Sequence, residues 1–471
     1  MTEGIDIGRA FADRRRMAND AKKAAKAAEK EAARKAKYEQ EARSFVQRYR
    51  ELVSAEEIIE AGARLGVVER RRKVDLPALV EATVTALSPV PGVQTTILQS
   101  YLALTGQDLA RSSFYDRFTE PFADLIRELA VRAVRAVREA EPRDELAGDL
   151  GVLLEQFTDV RVADSTTHLL KRLARGWAPS TSKTKLAGVK LHAVFSLRDH
   201  LPVEQHITAQ RVHDNKAFPE WTMEPGTLSL FDLGYIDVER FIAAIVRGAH
   251  FLTRLKTNHN PKIVRVHVGK GSRRAARGLS LDDALEQRLL EPDKGVIDID
   301  VLLTSGDKEA AARVVGIEND NGVEMHWYLT SVGRDVLDAR DVAEAYRLRW
   351  VIELLWKQLK SGAGLDTILA WRESAVHALV HAKIVALCLA RMLELSVLRK
   401  DDDALQTRLA LMLVLTRAAP LLHTIAMMSR GVTLEQLEER IELIAIKAAQ
   451  ARNQRRERAR RKREADLGRC H

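Results

Sequence analysis

From about residue 150 the chain adopts a two-residue alternation of apolar and polar side chains, and this change constrains the fold more than any other feature. FTDVRVADSTTHLL sets Val160 and Val162 in alternation and reaches Asp164, which small hydroxylated residues follow. GVKLHAVFSL and LPVEQHITA read as a second and a third strand, joined by a short polar turn around Asp199 and His200. GTLSLFDLGYID is a fourth, with Leu228, Leu230 and Asp232 in step and Gly234 breaking the strand, and AHFLTRLKTN is a fifth.

Three consecutive strands, then helix, strand, helix and strand, is the order of a ribonuclease-H-like α/β sheet. In such a sheet the first and fourth strands are neighbours, so Asp164 and Asp232 are expected side by side. Taken singly, either aspartate also reads as a turn former or a helix cap.

A third carboxylate lies in YRLRWVIELLWKQLK, residues 346–360. Tyr346, Arg349, Glu353 and Lys360 are separated by 3, 4 and 7 residues. At about 100° per residue, Glu353 falls roughly 40° from Arg349 and about 20° from both Tyr346 and Lys360 on a helix. One narrow face then carries an acid, two cations and a phenol, while Val351, Leu354, Leu355 and Leu359 are left for core contact. Such a face suits a site that holds both a metal ion and phosphates. An exposed Arg349–Glu353 pair, worth a few tenths of a kcal/mol, is the plainer alternative.

The spacing Y-x2-R-x3-E-x6-K resembles the Tyr-Arg-Glu-Lys signature of a large group of bacterial insertion-sequence DDE transposases, the family-four type. ADST around Asp164 resembles that family's first aspartate motif, and FDLGY from Phe231 resembles its second, with Leu233 where arginine is frequent. FLTRLK from Phe251 resembles the strand that follows, which makes Arg254 and Lys256 candidate phosphate contacts. The likeness spans roughly residues 45 to 400.

The resemblance implies a metal site of Asp164, Asp232 and Glu353 holding two Mg²⁺ ions, with Mn²⁺ able to substitute, as oxygen ligands favour. Asp164 is expected as the bridging ligand. It further implies in-line attack on a phosphodiester, first by water and then by a DNA 3′-hydroxyl. Tyr346, Arg349 and Lys360 are expected on phosphates of the transposon end, and Trp350 either in the core or stacked on a displaced base. The partners implied are double-stranded DNA, both terminal inverted repeats and target, and a second copy of the chain across paired ends. Cut-and-paste movement through a hairpin end is also implied. Two alternatives stay open: a ribonuclease-H-like nuclease without strand transfer, and a DNA-binding protein with an inactive core.

Asp232 and Glu353 are 121 residues apart, more than one strand and one helix need, so something is inserted. KIVRVHVG, VIDIDVLLTS, AARVVGIEN and EMHWYLTSV alternate as strands do, and LSLDDALEQRLL reads as a short helix or turn region. The resemblance implies a mainly antiparallel β subdomain over 261–340; the pattern alone would equally suit an independent β domain.

Residues 51–150 read as helical; the resemblance implies a DNA-binding domain, while a purely structural helical bundle has the same pattern. Ser54 and Glu57 form a capping box, Gly66 a helix stop, and Pro77 a first-turn residue. TTILQSYLALTGQDLARSSFYDRF is consistent with a helix-turn-helix in which Ser112 or Ser113 caps the second helix. The catalytic core is expected over 151–260 and 341–400.

Charge sets the two ends apart. Residues 1–50 carry 14 Lys or Arg against 8 acids and residues 447–471 carry 10 against 3, so the rest of a chain of net charge +9 is slightly acidic. Residues 1–50 are expected as a basic helical extension and 401–471 as a helical region with a basic tail. Both ends read as solvated helices, and tethered to a DNA enzyme they would meet phosphates. With 2 cysteines, Cys388 and Cys470, neither a disulfide framework nor a cysteine-built zinc site is expected. Glu373, His377 and His381 fall at i, i+4 and i+8, but the glutamate that follows the first histidine of a zinc-protease helix is missing, and packing is the expected role of these histidines and of His168 and His192. The N-terminus lacks an apolar leader core and no apolar run approaches about 20 residues, so a cytoplasmic protein is expected, and the resemblance implies a bacterial one, nucleoid-associated when bound to DNA.

Overall fold

The computed structural model describes residues 45–397, apart from 68–73, 86–92, 108, 141–152, 154, 183, 185, 200, 218–222, 256–258, 320–323, 358, 361–363 and 369, together with 426, 427, 430, 431 and 436. Residues 1–44 of the N-terminal basic end, the whole C-terminal basic tail 447–471 with Cys470, and Lys256 therefore lie outside the described residues. The strands are β1 Asp159–Leu169, β2 Gly188–Ser196, β3 Leu201–Ala209, β4 Thr227–Phe231, β5 His250–Arg254, β6 Lys262–Val268, β7 Val296–Ser305, β8 Lys308–Glu318 and β9 Met325–Thr330. They form one sheet in the order β3-β2-β1-β4-β5-β9-β8-β7-β6. β1, β2 and β3 are antiparallel neighbours, and β1, β4 and β5 run parallel.

Alternation assigns the two faces. Val160, Val162, Leu228 and Leu230 belong to one apolar cluster, and Ala163, Phe231, Phe241 and Phe251 to the other, where Phe241 and Phe251 stack at 4.0 Å. The helices named here are α1 Ala55–Arg64, α2 Leu76–Thr85, α3 Val93–Thr105, α4 Arg111–Tyr115, α5 Glu120–Ala140, α6 Val238–Val246, α7 Ala339–Arg347, α8 Val351–Lys357 and α9 Glu373–Val397. α6 links β4 to β5; Asp237 caps its first turn and Gly248, at φ +75°, follows its end.

α9 packs along α5 and also reaches α2 and β3. Its segment Glu373–Met392 is long and apolar enough to cross a bilayer, yet 94% of that window is buried inside the protein. The cluster around it runs without a break from Phe45 through Val137 to Val160 and Leu389, so the N-terminal helices and one sheet face share a core. His377 lies edge-on to Trp177, and His381 pairs with Gln205 at 3.2 Å.

The N-terminal helices differ in detail from expectation. Ser54 Oγ accepts from the Glu57 amide at 3.5 Å, but the Glu57 carboxylate pairs with Arg132, so half of the capping box forms. α1 ends as foreseen at Gly66: the amides of Gly66 and Val67 reach the carbonyls of Ala63 and Gly62. Ser112 and Ser113 sit inside α4, whose N-cap is Ala110, because the turn is set by the complete burial of Phe114. With five residues, α4 is too short to span a groove.

β6 to β9 are antiparallel, and β9 hydrogen-bonds to β5, so they extend the sheet of β1 to β5 instead of forming a sheet of their own. Gly306, at φ +58°, starts the two-residue connection from β7 to β8, the position a type II′ turn reserves for glycine. A buried ion cluster ties this extension to α7. Arg313 grips Asp298 through two bonds of 3.0 and 2.8 Å and donates at 2.7 Å to the carbonyl of Leu337, just before that helix.

Candidate active site

β1 and β4 pair in register from Asp159↔Thr227 to Ala163↔Phe231, so Asp164 and Asp232 occupy the next position on each. By alternation both project from the face of Val160, Val162, Leu228 and Leu230, toward α7 and α8. Asp164 is half-buried and accepts from the Trp356 indole N–H at 3.1 Å; the indole lies edge-on to Phe195. Burial raises the Asp164 carboxyl above the usual range and the Asp232 charge adds to this, while the Ser165 amide, the Trp356 N–H and Arg349 pull the other way.

The stretch 346–360 is not one uniform α-helix. Leu348–Trp350 forms a 3₁₀ turn between α7 and α8, and Leu359 and Lys360 lie in a wider π turn. A 3₁₀ turn advances about 120° per residue, so a constant 100° step does not carry through. Tyr346 points inward: its hydroxyl donates to the Phe231 carbonyl at 3.3 Å, its ring meets Tyr328, and burial pushes its pKa up to about 12. The phenol expected on a phosphate here donates to the backbone just before the second aspartate. Trp350 is 60% exposed, whereas Trp356 is buried.

Arg349 is the hub. Its Nη2 lies 3.4 Å from Glu353 Oε1, its guanidinium is 6.0 Å from the centre of the Tyr346 ring, and its charge reaches Asp164. Glu353 is thereby held one guanidinium away from the aspartate pair. Among the described residues no three His, Cys, Asp or Glu side chains are gathered closely enough to hold a metal ion. The donor set is nonetheless of the right kind: oxygen ligands, one of them destabilised by burial and by a neighbouring carboxylate.

The remaining expected contacts stand further out. Arg254 donates to His326 Nδ1 at 3.0 Å, and its charge acts on Tyr346. Lys360 is half-exposed. Leu233, where the resemblance favours arginine, packs into the apolar cluster beneath α6. One group escaped sequence reasoning. On the opposite face of β1, Ser165 donates to Asp214 at 2.7 Å, and Lys190 lies 3.1 Å from the same carboxylate. Nothing in RVHDNKAF marks Asp214 beyond its place at a helix start.

Residues 155–389, which contain all three carboxylates, match the transposase DDE domain family. The chain is 26% identical over 236 residues to a protein of Sinorhizobium fredii that carries the transposase name y4zB, covering 50% of this chain and 60% of that protein. It is 25% identical over 238 residues to a protein of Geobacillus stearothermophilus assigned as the transposase of insertion sequence element IS5377, covering 50% of this chain and 56% of that one. The transposase for insertion sequence element IS231F of Bacillus thuringiensis is 22% identical over 388 residues, 74% of this chain and 80% of its own. The chain thus spans a little over half the length of the first two of these relatives. A piggyBac transposase synaptic complex with hairpin DNA has a TM-score of 0.43 at 10% identity over 85% of each chain, a likeness too slight to carry argument. The segment 155–389 belongs to the transposase DDE domain family.

Proposed function

We propose that this chain is the transposase of an insertion sequence, of the group with the Tyr-Arg-Glu-Lys signature, and that it cuts and joins DNA at a ribonuclease-H-like centre built on Asp164, Asp232 and Glu353. The observation that carries this reading is the register of β1 and β4. It sets the two aspartates side by side, with the α8 glutamate one arginine away.

Asp164, Asp232 and Glu353 would hold two divalent ions of the Mg²⁺ or Mn²⁺ kind, which when bound supply Lewis acidity to the attacking and leaving oxygens. The side chains around them do the positioning. Trp356 and the Ser165 amide orient the Asp164 carboxylate, the indole N–H on one of its oxygens. Tyr346 locks the start of the Glu353 helix to the end of β4 through the Phe231 carbonyl. For Glu353 to join the aspartates its carboxylate turns away from Arg349, and the freed guanidinium is then available to a phosphate beside the scissile bond. The exposed Trp350 indole is suited to stacking on an unpaired base. The N-terminal helices and both basic ends would hold transposon and target DNA, with two copies of the chain acting across paired ends.

The test is cleavage and strand transfer on DNA carrying the element's terminal repeats, comparing the wild type with Glu353→Gln. Loss of both reactions with end binding retained is expected. Unchanged cleavage would remove Glu353 from the centre. Cleavage without any joined product in the wild type would mark a nuclease, and binding without chemistry in either protein an inactive core.

A further inference from the structure

The connection from β1 to β2 runs through residues 170–187, far longer than the two to five residues an antiparallel hairpin needs. It carries Lys171, Arg172, Arg175, Lys183 and Lys185 and no acid. Within it, Arg172–Gly176 form a 3₁₀ turn anchored by the fully buried Ala174, and the Trp177 indole donates to the Trp371 carbonyl at 2.9 Å. His168, at the root, meets the Ile368 carbonyl at 2.8 Å. The turn is thus strapped to the segment between α8 and α9.

On that scaffold Lys171, Arg172 and Arg175 are exposed, and no carboxylate of the described residues pairs with any of them. The acids nearby face other partners: Asp366 faces His168, and Asp116 binds Arg372, which also lies over the 43% exposed Trp371. Leu173, at the crest of the turn, is 70% exposed. Like charges held together on a rigid turn repel one another, and a counter-charge brought by a partner relieves that repulsion. Acid-free basic turns with exposed aromatic and apolar side chains have the chemistry that grips a nucleic-acid backbone.

We propose that this turn is a second DNA-phosphate clamp, on duplex that continues from the scissile phosphate along the direction of β1. The clamp rests on the reading of the chain as a DNA enzyme. Leu169 lies five residues beyond Asp164 on one strand, about 17 Å at roughly 3.4 Å per residue. Duplex rises about 3.4 Å per base pair, so the turn meets phosphates about five base pairs from the cut. Arg372 and Asp116 join it to the corner between α4 and α5, which makes it a bridge from the catalytic edge to the N-terminal helices.

The test measures binding of the full chain to a terminal-repeat duplex across a range of KCl concentrations, for the wild type and for Lys171→Ala/Arg172→Ala/Arg175→Ala. Removing three phosphate contacts flattens the slope of log affinity against log salt by about 2 to 3, and Lys171→Gln alone by about 1. Methylphosphonate substitutions about four to six positions from the cut weaken the wild type and leave the triple variant unaffected. A wild type that binds while the triple variant, with the same melting temperature, keeps the same slope overturns the clamp and leaves the transposase reading standing. A wild type that binds no DNA overturns both.

Discussion

Two clusters of acids lie on the same sheet, and their surroundings are opposite. In the extension, Asp298 accepts from both Arg313 and Arg334, while Asp300 accepts from Arg334 and His267 at 2.7 Å each. At the parallel edge, Asp164 has one indole and one amide for company, and the nearest guanidinium is engaged with Glu353. Burial pushes both kinds of carboxyl upward. The bonds from His267 and Arg334 outweigh it and hold Asp300 below its ordinary range, whereas Asp164 ends above. A buried acid saturated with arginine is a structural device. A buried acid left short of positive charge beside another acid is where a cation from outside has most to gain, and this contrast is what the proposed metal site rests on.

The sharpest way to break that contrast is to neutralise Asp164. Asp164→Asn keeps shape and removes the charge, so strand cleavage should fall by about 10³-fold or more, the equivalent of several kcal/mol of lost charge stabilisation. The metal-free protein should unfold at the same urea concentration or a higher one. A marked loss of stability would mean that Asp164 is a structural acid after all.

Arg313→Ala should do the reverse. It leaves Asp298, 2% exposed, with a half-empty partner set and cuts the tie to the Leu337 carbonyl. Breaking such a buried pair costs about 3–5 kcal/mol, read from denaturant unfolding. Any activity that survives should then scale with the folded fraction.

The parts of this arrangement that could be read from the sequence are those set by local periodicity. Val160, Val162, Leu228 and Leu230 announce strands of known face, and each strand leads directly to an aspartate. Arg349 and Glu353 meet because they are four residues apart. What stayed hidden depends on contacts distant in sequence. Trp356 reaches Asp164 across 192 residues, and the 3₁₀ turn at Leu348–Trp350 follows a Tyr346 hydroxyl tied to a carbonyl 115 residues away. Continuity of the sheet rests on pairing Leu252 with Thr330, which no pattern within either strand specifies. Ser112 and Ser113 look like caps, yet burial of Phe114 overrides the local preference.

Titration sharpens the comparison, because the two clusters should respond to pH with opposite signs. Asp300 has its folded pKa below the ordinary 3.8, so its contribution is present above that pH and is lost as pH falls through the folded value. Asp164 is raised, so whatever it contributes is present below 3.8 and is lost as pH rises through its folded pKa. Measured from about pH 3 to pH 7, Asp300→Asn should become increasingly destabilising relative to the wild type, and Asp164→Asn increasingly stabilising. Parallel curves for the two variants would erase the distinction.

The smallest expected effect is at Trp356, whose indole both fills space against Phe195 and donates to Asp164. Trp356→Phe retains most of the ring contact and deletes the donor, leaving a half-buried carboxylate oxygen without its partner, at a cost of about 1–2 kcal/mol. That bond favours the charged form of Asp164, so its loss should raise the carboxyl further. The proposed metal site needs the carboxylate ionised, so on that reading the acid limb of the cleavage profile should move to higher pH, with the plateau rate little changed. The shift separates the two roles of the side chain. If only packing matters, Trp356→Phe lowers stability slightly and leaves the pH profile in place; if the N–H tunes the carboxylate, the acid limb moves even under conditions where the variant is fully folded.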